Sequence, residues 1–282
     1  MESLALLENL ASPLSLLVLY VVIFLLAKWI KNFLLPYKLD EELTEKDNLA
    51  QGVSLGGYFI GVTAIFVGVV DGPSYGWVYD LVITAAYSLA GIVVLNFSRL
   101  INDKFVLRHF STTKEIVEDK NVGTGVVECA SYIASGLVIA GAVHGEGGSW
   151  VTALVFYLIG QVALILFSFL YDLVTPYKVH EEIEKDNVAA GLGFAGGLIA
   201  IGIIVMRAVS GDFESWAVNL QELVLDIILV FVFLVVVRLV FDKWILLKAD
   251  LNKEITQDRN LAAGILEFTV AVSFSTVLFF TI

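Results

Sequence analysis

The apolar residues of this chain form eight long blocks, and polar residues fill the short stretches between them. Each block holds about 20 residues, which is the length that an α-helix needs to cross the roughly 30 Å hydrocarbon core of a bilayer. The pattern therefore predicts an all-α membrane protein with eight transmembrane helices. The predicted spans are Pro13–Leu35, Leu49–Val70, Trp77–Ile101, Val122–Val143, Val151–Leu173, Val188–Ala208, Ala217–Leu247 and Leu261–Thr281.

The connections between the spans alternate between two kinds. Three are short loops with turn residues, such as "DGPSYG" and "HGEGG", and the other four carry charges. With eight spans in strict alternation, all four charged connections lie on one side of the membrane. Of the 17 lysines and arginines, Arg207 alone lies near the short loops. The excess of basic residues on cytoplasmic loops predicts that the charged side faces the cytoplasm and that both termini lie outside.

The four charged connections repeat one motif. Counted from an asparagine at position 0, it has Glu at −6, Glu at −3 and Gly at +4, and the last copy has Gln at −3. We call it the charged motif. Its members are Glu42, Glu45, Asn48 and Gly52; Glu115, Glu118, Asn121 and Gly125; Glu181, Glu184, Asn187 and Gly191; and Glu254, Gln257, Asn260 and Gly264.

The spacing of the motifs indicates a tandem duplication. Asn48 and Asn187 are 139 residues apart, and so are Asn121 and Asn260. The same shift relates Arg99 to Arg238, and Asp103 to Asp242. We therefore predict two four-helix units, residues 1–144 and 145–282, each made of two helical hairpins. All four hairpins enter the membrane from the same side, so the repeats are parallel rather than inverted.

Four-helix units with this motif after the first and third helices resemble the YjfL-like bacterial inner-membrane proteins of unknown function. The chain looks like two such units in tandem, with Gln257 as the departure in the fourth motif. The resemblance implies the architecture and a location in the inner membrane. It implies no activity.

The motif has a structural interpretation and a functional one. If the helix is continuous, the four motif positions share one face at the start of each even-numbered span. Acidic residues favour a helix N-terminus, Asn caps a helix that begins there, and Gly lets helices approach closely. We expect the even-numbered spans to form an inner, tightly packed layer and the odd-numbered spans to face lipid. Alternatively, the four motifs form a docking surface for a cytosolic protein or a cation.

Two carboxylates lie deeper in the predicted spans. Glu128 and Glu267 both occupy position +7 of their motifs and obey the 139-residue shift. If the inner helices surround an axis, the two glutamates face each other there and handle protons or a small cation. The alternative is a pair of hydrogen-bonded acids that specify helix packing. We expect Arg99 and Arg238 to extend towards the membrane interface or to pair with motif carboxylates, rather than to bind a ligand.

Composition adds limits to this picture. The chain is 58% apolar and 16% charged, and its net charge of −12 arises mostly from the motifs. Cys129 is the sole cysteine, and the histidines (His109, His144 and His180) lack zinc-site spacing. No pattern indicates a catalytic site, a cofactor or nucleic-acid binding, so we expect none of these. The partners we expect are the bilayer, a cytosolic protein and further copies of the chain. Two functions remain open: proton or cation transport, and a membrane scaffold in envelope maintenance.

Overall fold

The computed structural model describes residues 2–108, 110–240 and 250–281, without the side chains of residues 2–10 and 239. These residues form helices and no strands. The helices are α1 (Glu2–Leu34), α2 (Leu39–Thr44), α3 (Leu49–Val70), α4 (Trp77–Phe105), α5 (Thr112–Val117), α6 (Val122–Val143), α7 (Trp150–Val174), α8 (Val179–Glu184), α9 (Val188–Val209), α10 (Trp216–Val240), α11 (Leu251–Thr256) and α12 (Leu261–Thr281).

Eight of the described helices are long and apolar enough to cross a membrane, which confirms the predicted all-helical membrane fold. Helices α3 and α6 begin and end at the predicted residues, whereas α4 continues from the predicted end at Ile101 to Phe105. Helix α1 begins earlier than predicted, at Glu2, and includes Pro13. Outside the described residues lie His109, Asp242 and Leu247, the predicted end of the seventh span.

Each charged motif folds as a separate short helix that ends in a tight turn. The turn residue before each asparagine has a positive φ, in a region where an α-helix cannot continue. These residues are Asp47, Lys120, Asp186 and Arg259, with φ of 47°, 51°, 54° and 46°. The helix is therefore not continuous, and the alternative in which it breaks and the asparagine caps the next helix is the one that occurs. The turn separates the residues at −6 and −3 of each motif from its asparagine. The members of a motif do not share one helix face.

The spanning helices that follow the motifs form one row in chain order, α3, α6, α9 and α12. The other spanning helices make a second layer: α4 packs against α3 and α6, α7 against α6 and α9, and α10 against α9 and α12. Helices α6 and α9 are mostly buried, whereas α1 and α10 are mostly exposed. Helices α3, α6 and α9 confirm the predicted inner layer. Helix α12, at the end of the row, is an exception, because it is less buried than α7 of the second layer.

Small residues let neighbouring helices of the row touch along their backbones. A Cβ atom on Gly57 would lie 2.4 Å from Cα of Cys129, and one on Gly202 would lie 2.7 Å from Cα of Ala134. Both distances are shorter than van der Waals contact, so no larger residue fits at these glycines without a shift of the backbone. Close approach at small residues is the usual way to pack helices in lipid.

Tryptophans mark the ends of the outer helices at the short loops. Trp77, Trp150 and Trp216 are the first residues of α4, α7 and α10, and all three are exposed. This position is typical of side chains at a membrane–water interface.

Candidate functional site

Each motif asparagine caps the spanning helix that follows it. The side-chain oxygen accepts a hydrogen bond from a backbone N–H in the first turn, which is the preferred role of Asn at a helix start. For Asn48, Asn121, Asn187 and Asn260 the donors are Gln51, Thr124, Ala190 and Ala262, at 3.1, 2.8, 3.2 and 3.0 Å. The motif therefore fixes where the backbone enters the membrane-spanning helix.

Three of the asparagines also join their repeat to the next one. Their Nδ2 atoms donate to a backbone carbonyl in the short helix of the following motif. The pairs are Asn48 with Ile116, Asn121 with Ile183 and Asn187 with Ile255, each at 2.8 Å. The three asparagines are buried, whereas Asn260, at the end of the row, is partly exposed. One side chain thus caps a helix and holds the adjacent repeat.

The first glutamate of the motif accepts a hydrogen bond from the asparagine in three repeats. Glu42, Glu115 and Glu254 lie 3.0, 2.8 and 2.7 Å from the amide nitrogens. In the third repeat the acceptor of the Asn187 amide is Glu182, at 3.0 Å, and not Glu181 as the motif alignment predicts. A tyrosine precedes the first motif (Tyr37) and the third (Tyr177). The third motif has one residue fewer than the first between this tyrosine and its asparagine, so Glu182 takes the position that Glu42 has in the first motif.

The other two motif positions have different surroundings. The residues at −3, which are Glu45, Glu118, Glu184 and Gln257, are all exposed. A Cβ atom on Gly125, Gly191 or Gly264 would lie 2.6 to 2.8 Å from a backbone oxygen of the preceding repeat. At Gly52 the nearest atom is a side-chain carbon of Leu43, at 3.8 Å. Unlike the other three motif glycines, Gly52 therefore has no backbone of another helix in close contact.

Glu128 lies in a buried ion pair within the first unit. Its Oε1 accepts from Nε of Arg99 at 2.9 Å, and its Oε2 accepts from the hydroxyl of Ser54. Asp103 lies 3.6 Å from the same arginine nitrogen. Both oxygens of the carboxylate have a donor, which is how a buried charge is stabilised.

A buried lysine adjoins this ion pair and is not among the site residues predicted from the sequence. Lys31 is 2% exposed, and its ammonium lies 5.2 and 4.4 Å from the ring centres of Tyr58 and Tyr132. It also donates to the hydroxyl of Tyr132. A lysine near the end of a membrane helix usually extends towards the headgroups, so the pattern alone gave no reason to place Lys31 inside.

Glu267 lies in the corresponding ion pair of the second unit. Its Oε1 accepts from Nη1 of Arg238 at 2.8 Å and from the hydroxyl of Tyr171 at 3.1 Å. Its Oε2 is buried and has no hydrogen-bond donor among the described residues. A Cβ atom on Gly193 would lie only 2.5 Å from this oxygen. The second ion pair therefore keeps one unpartnered acceptor.

The two deep glutamates do not face each other, so this expectation is wrong. Each contacts the arginine of its own unit, and no hydrogen bond or ion pair joins the two glutamates in the part of the chain described here. The reason is the arrangement of the inner helices, because α9 lies between α6 and α12 in the row. Arg99 and Arg238 do form ion pairs, but the predicted partners are wrong, because both pair with the deep glutamates and not with motif carboxylates.

A second polar cluster also went unrecognised in the sequence. Asp172 accepts from Arg108 at 2.5 Å and lies 3.0 Å from the His180 ring, which in turn contacts the carbonyl of Val106 at 2.6 Å. The cluster links the end of α4 to α7 and α8. Its members are far apart in sequence and share no motif, so no spacing signal was available to find it.

Comparison with known proteins places the chain among membrane proteins. A family described as Domain of Unknown Function (DUF350) matches it twice in tandem, over residues 5–143 and 147–282. A UPF0719 transmembrane protein of Aquifex aeolicus is 25% identical over 241 residues, 84% of this chain and 87% of the relative. The UPF0719 transmembrane protein YshE of Bacillus subtilis is 27% identical over 122 residues, 43% of this chain and 86% of the relative.

A shorter match extends to a third organism. The UPF0719 inner membrane protein YjfL of Escherichia coli K12 is 33% identical over 66 residues, 22% of this chain and 50% of that protein. No solved structure matches the chain.

Proposed function

This chain belongs to the DUF350 family of integral membrane proteins, and on that premise we propose that it is a non-catalytic membrane scaffold that assembles side by side with copies of itself. The contact between copies repeats the contact that joins consecutive repeats within the chain. A head-to-tail contact of this kind can continue from the last repeat of one copy to the first repeat of another. The reason is that each repeat presents one face to the next repeat and a different face to the previous one.

The observation that carries the proposal is an exposed face on α12. We call the residues at +2, +6, +9, +13, +17 and +20 from each motif asparagine the joining face. In α3 they are Ala50, Ser54, Gly57, Gly61, Ile65 and Gly68, all buried. In α6 they are Gly123, Val127, Ala130, Ala134, Val138 and Gly141, all buried. In α12 they are Ala262, Leu266, Thr269, Ser273, Val277 and Phe280, all exposed.

The composition of this exposed face supports a protein partner rather than lipid. Apolar exposure by itself is normal for a helix in lipid. Ala262, Thr269 and Ser273, however, are small or polar, and such residues usually mark close contacts between membrane helices. The adjacent Asn260 has the amide donor that in the other three repeats reaches the next motif.

The complementary face lies at the other end of the row. Gly52 and Gly56 of α3 occupy positions +4 and +8, which in α6 and α12 pack against the preceding helix. A Cβ atom on Gly56 would have no neighbour within 4 Å. These two glycines leave space for the backbone of a helix from a second copy. The joining face of α12 from that copy would pack there in the way that the joining faces of α3 and α9 pack against α6 and α12 within the chain.

The deep glutamates support a scaffold more than a conducting site. Glu128 and Glu267 are each ion-paired with an arginine, and they do not form one shared carboxylate site. A cation at either position has to compete with the guanidinium already bound there. Docking of a cytosolic protein on the exposed glutamates of the motifs remains a prediction that no contact in the structure identifies.

Cross-linking between copies tests the assembly. Asp186 accepts from the backbone N–H of Gly123 at 3.1 Å, so positions −1 and +2 of consecutive repeats are adjacent. In a Cys129→Ala background, Asp47→Cys with Ala262→Cys places the equivalent pair on two different copies. Mild oxidation in native membranes is expected to give cross-linked dimers and larger species. The matched pair Gly123→Cys with Asp186→Cys is expected to form a bond within one chain.

Two further outcomes decide the proposal. Gly56→Leu is expected to abolish the cross-links between copies and to leave the thermal stability of the single chain unchanged. A failure of the Asp47/Ala262 pair to cross-link, while the Gly123/Asp186 pair oxidises, overturns the assembly. Proton or cation flux through the protein in liposomes, lost on Glu128→Gln with Glu267→Gln, overturns the scaffold in favour of transport.

The orientation is part of the proposal and rests on the distribution of basic residues. We place the charged motifs in the cytoplasm and the short loops outside. In the Cys129→Ala background, a cysteine at exposed Glu146 is expected to react with a membrane-impermeant maleimide added to intact cells, whereas one at exposed Glu45 is not. The reverse pattern of labelling overturns this orientation.

A further inference from the structure

The second unit contains a cavity at its buried ion pair. The cavity measures about 280 Å³ and is lined by residues of α7, α9, α10 and α12, among them Arg238, Glu267, Gly193 and Gly197. Apart from the ion pair and the Tyr171 hydroxyl, the side chains around it are apolar.

The duplication shows which substitutions made this space. The 139-residue shift relates Ser54 to Gly193, Tyr58 to Gly197 and Tyr132 to Ala271. In the first unit the two tyrosines are almost fully buried, at 0% and 2% exposure. Their counterparts are a glycine and an alanine that line the cavity. The ring of Phe167 packs against Gly197 in the second unit.

The same comparison identifies an unused hydrogen-bond acceptor. In the first unit the hydroxyl of Ser54 donates to Oε2 of Glu128. In the second unit Gly193 has no side chain to donate a hydrogen bond. Glu267 is only 9% exposed, and its Oε2 has no donor among the described residues. An unpartnered buried carboxylate oxygen carries a free-energy cost. A donor that enters the cavity removes this cost.

The cavity opens towards the outside of the helix bundle. Leu170, Val174, Val232 and Val235 line it and are 40%, 45%, 60% and 41% exposed. These residues lie on the outer helices α7 and α10, within the segments long and apolar enough to span the membrane. A molecule dissolved in the acyl-chain region therefore reaches the ion pair without passing through water.

We propose that this cavity binds a lipid-soluble molecule with a hydroxyl group, whose O–H donates to Oε2 of Glu267 while its apolar chain lies between α7 and α10. In the first unit the corresponding donor to the carboxylate is the hydroxyl of Ser54. A neutral head fits better than a cation, because Arg238 already balances the charge of Glu267, and burying a second cation in an apolar cavity is costly. The proposal does not depend on the assembly described above.

Photoaffinity labelling tests the site. The probe is an octanol that carries a diazirine on its chain, added to the purified protein in nanodiscs. Mass spectrometry is expected to locate the label on the cavity residues of α7, α10 and α12. Unlabelled 1-octanol is expected to compete at about tenfold lower membrane concentration than octane, since one hydrogen bond to a charged acceptor accounts for at least that ratio.

Two variants and one control complete the test. Ala271→Tyr introduces the residue of the first unit and is expected to abolish the labelling, whereas Ile265→Tyr, at an exposed position of the same helix, leaves it intact. Gly193→Ser places a Cβ atom 2.5 Å from the present position of Oε2, so the carboxylate has to move aside. The serine hydroxyl is then its donor, and the preference for octanol over octane is expected to be lost. Equal competition by octane in the wild-type protein overturns the proposed hydrogen bond. Labelling that persists in a folded Ala271→Tyr protein, shown by its unchanged thermal transition, overturns the site.

Discussion

The side-chain amide of Asn121 donates to the carbonyl of Ile183 at 2.8 Å, across the junction between the second and third repeats. Because the two family matches meet between these repeats, the bond joins one unit to the other. The same bond occurs within each unit, from Asn48 and from Asn187. The contact between units is thus the same kind of contact as that within them.

We expect Asn121→Ala to destabilise the protein more than Asn260→Ala does. Both variants lose a helix cap, which costs about 1 kcal/mol. Only Asn121→Ala also loses the bond to the next repeat, which adds about 1 kcal/mol and leaves the Ile183 carbonyl without this donor. Thermal unfolding in detergent measures the difference. Equal losses in the two variants contradict a joining role for the Asn121 amide.

The deep ion pair of the first unit predicts a non-additive pair of substitutions. Arg99→Met leaves the Glu128 carboxylate buried without its charged partner, and we expect a loss of about 3–5 kcal/mol in the free energy of unfolding. Arg99→Met combined with Glu128→Leu removes both charges and is expected to recover most of that loss. Denaturant titration of the single and double variants gives the comparison. A double variant less stable than Arg99→Met argues against charge burial as the cause.

The sequence predicted the presence of these glutamates at depth but not their partners. Glu128 and Glu267 were found because a carboxylate two helical turns inside an apolar span is rare and costly. Their pairing with Arg99 and Arg238 depends on which helices are neighbours. A row and a ring of the same four helices have the same hydrophobic pattern, so spacing alone does not distinguish them.

Two adjacent glycines of α3 provide a matched test of the helix packing. Gly57→Ala brings a Cβ atom to 2.4 Å from the Cys129 backbone, whereas Gly56→Ala meets nothing within 4 Å. Overpacking of this kind costs about 1–3 kcal/mol, and we expect that loss only for Gly57→Ala. Monodispersity in detergent and the thermal midpoint measure it. Similar midpoints for the two variants mean that α3 and α6 are less closely packed than described.

The first motif glutamate predicts a dependence of stability on pH. Burial raises the pKa of Glu42, but hydrogen bonds from Lys46 and Asn48 outweigh burial and hold the pKa below its ordinary value of 4.5. A lowered pKa in the folded state means that Glu42 contributes stability above about pH 4.5, and that this stability is lost as the pH falls through the folded-state pKa.

We therefore expect Glu42→Gln to lower the thermal midpoint at pH 7 and to reduce its fall between pH 5 and about pH 3. Glu45→Gln is the control, because Glu45 belongs to the same motif and is exposed. Thermal scans across this pH range in one detergent give the profiles. If Glu42→Gln and wild type lose stability in parallel on acidification, the pKa of Glu42 is not the cause.

The sequence by itself determined the spans, the alternating connections and the fourfold motif. Apolar blocks of membrane-spanning length have few alternatives in lipid, since a helix is the only single segment that satisfies its own backbone hydrogen bonds there. It also determined the tandem duplication, because equal spacings such as Asn48 to Asn187 and Asn121 to Asn260 are properties of the chain alone.

The tertiary structure decided what the motif does and what the deep glutamates meet. A left-handed residue such as Asp47 breaks the helix, so the asparagine becomes a cap and its amide is free to reach the next repeat. The order of the inner helices places Glu128 and Glu267 with separate arginines. Both outcomes depend on contacts between residues that are distant in sequence, and the local pattern is the same whichever of these contacts form.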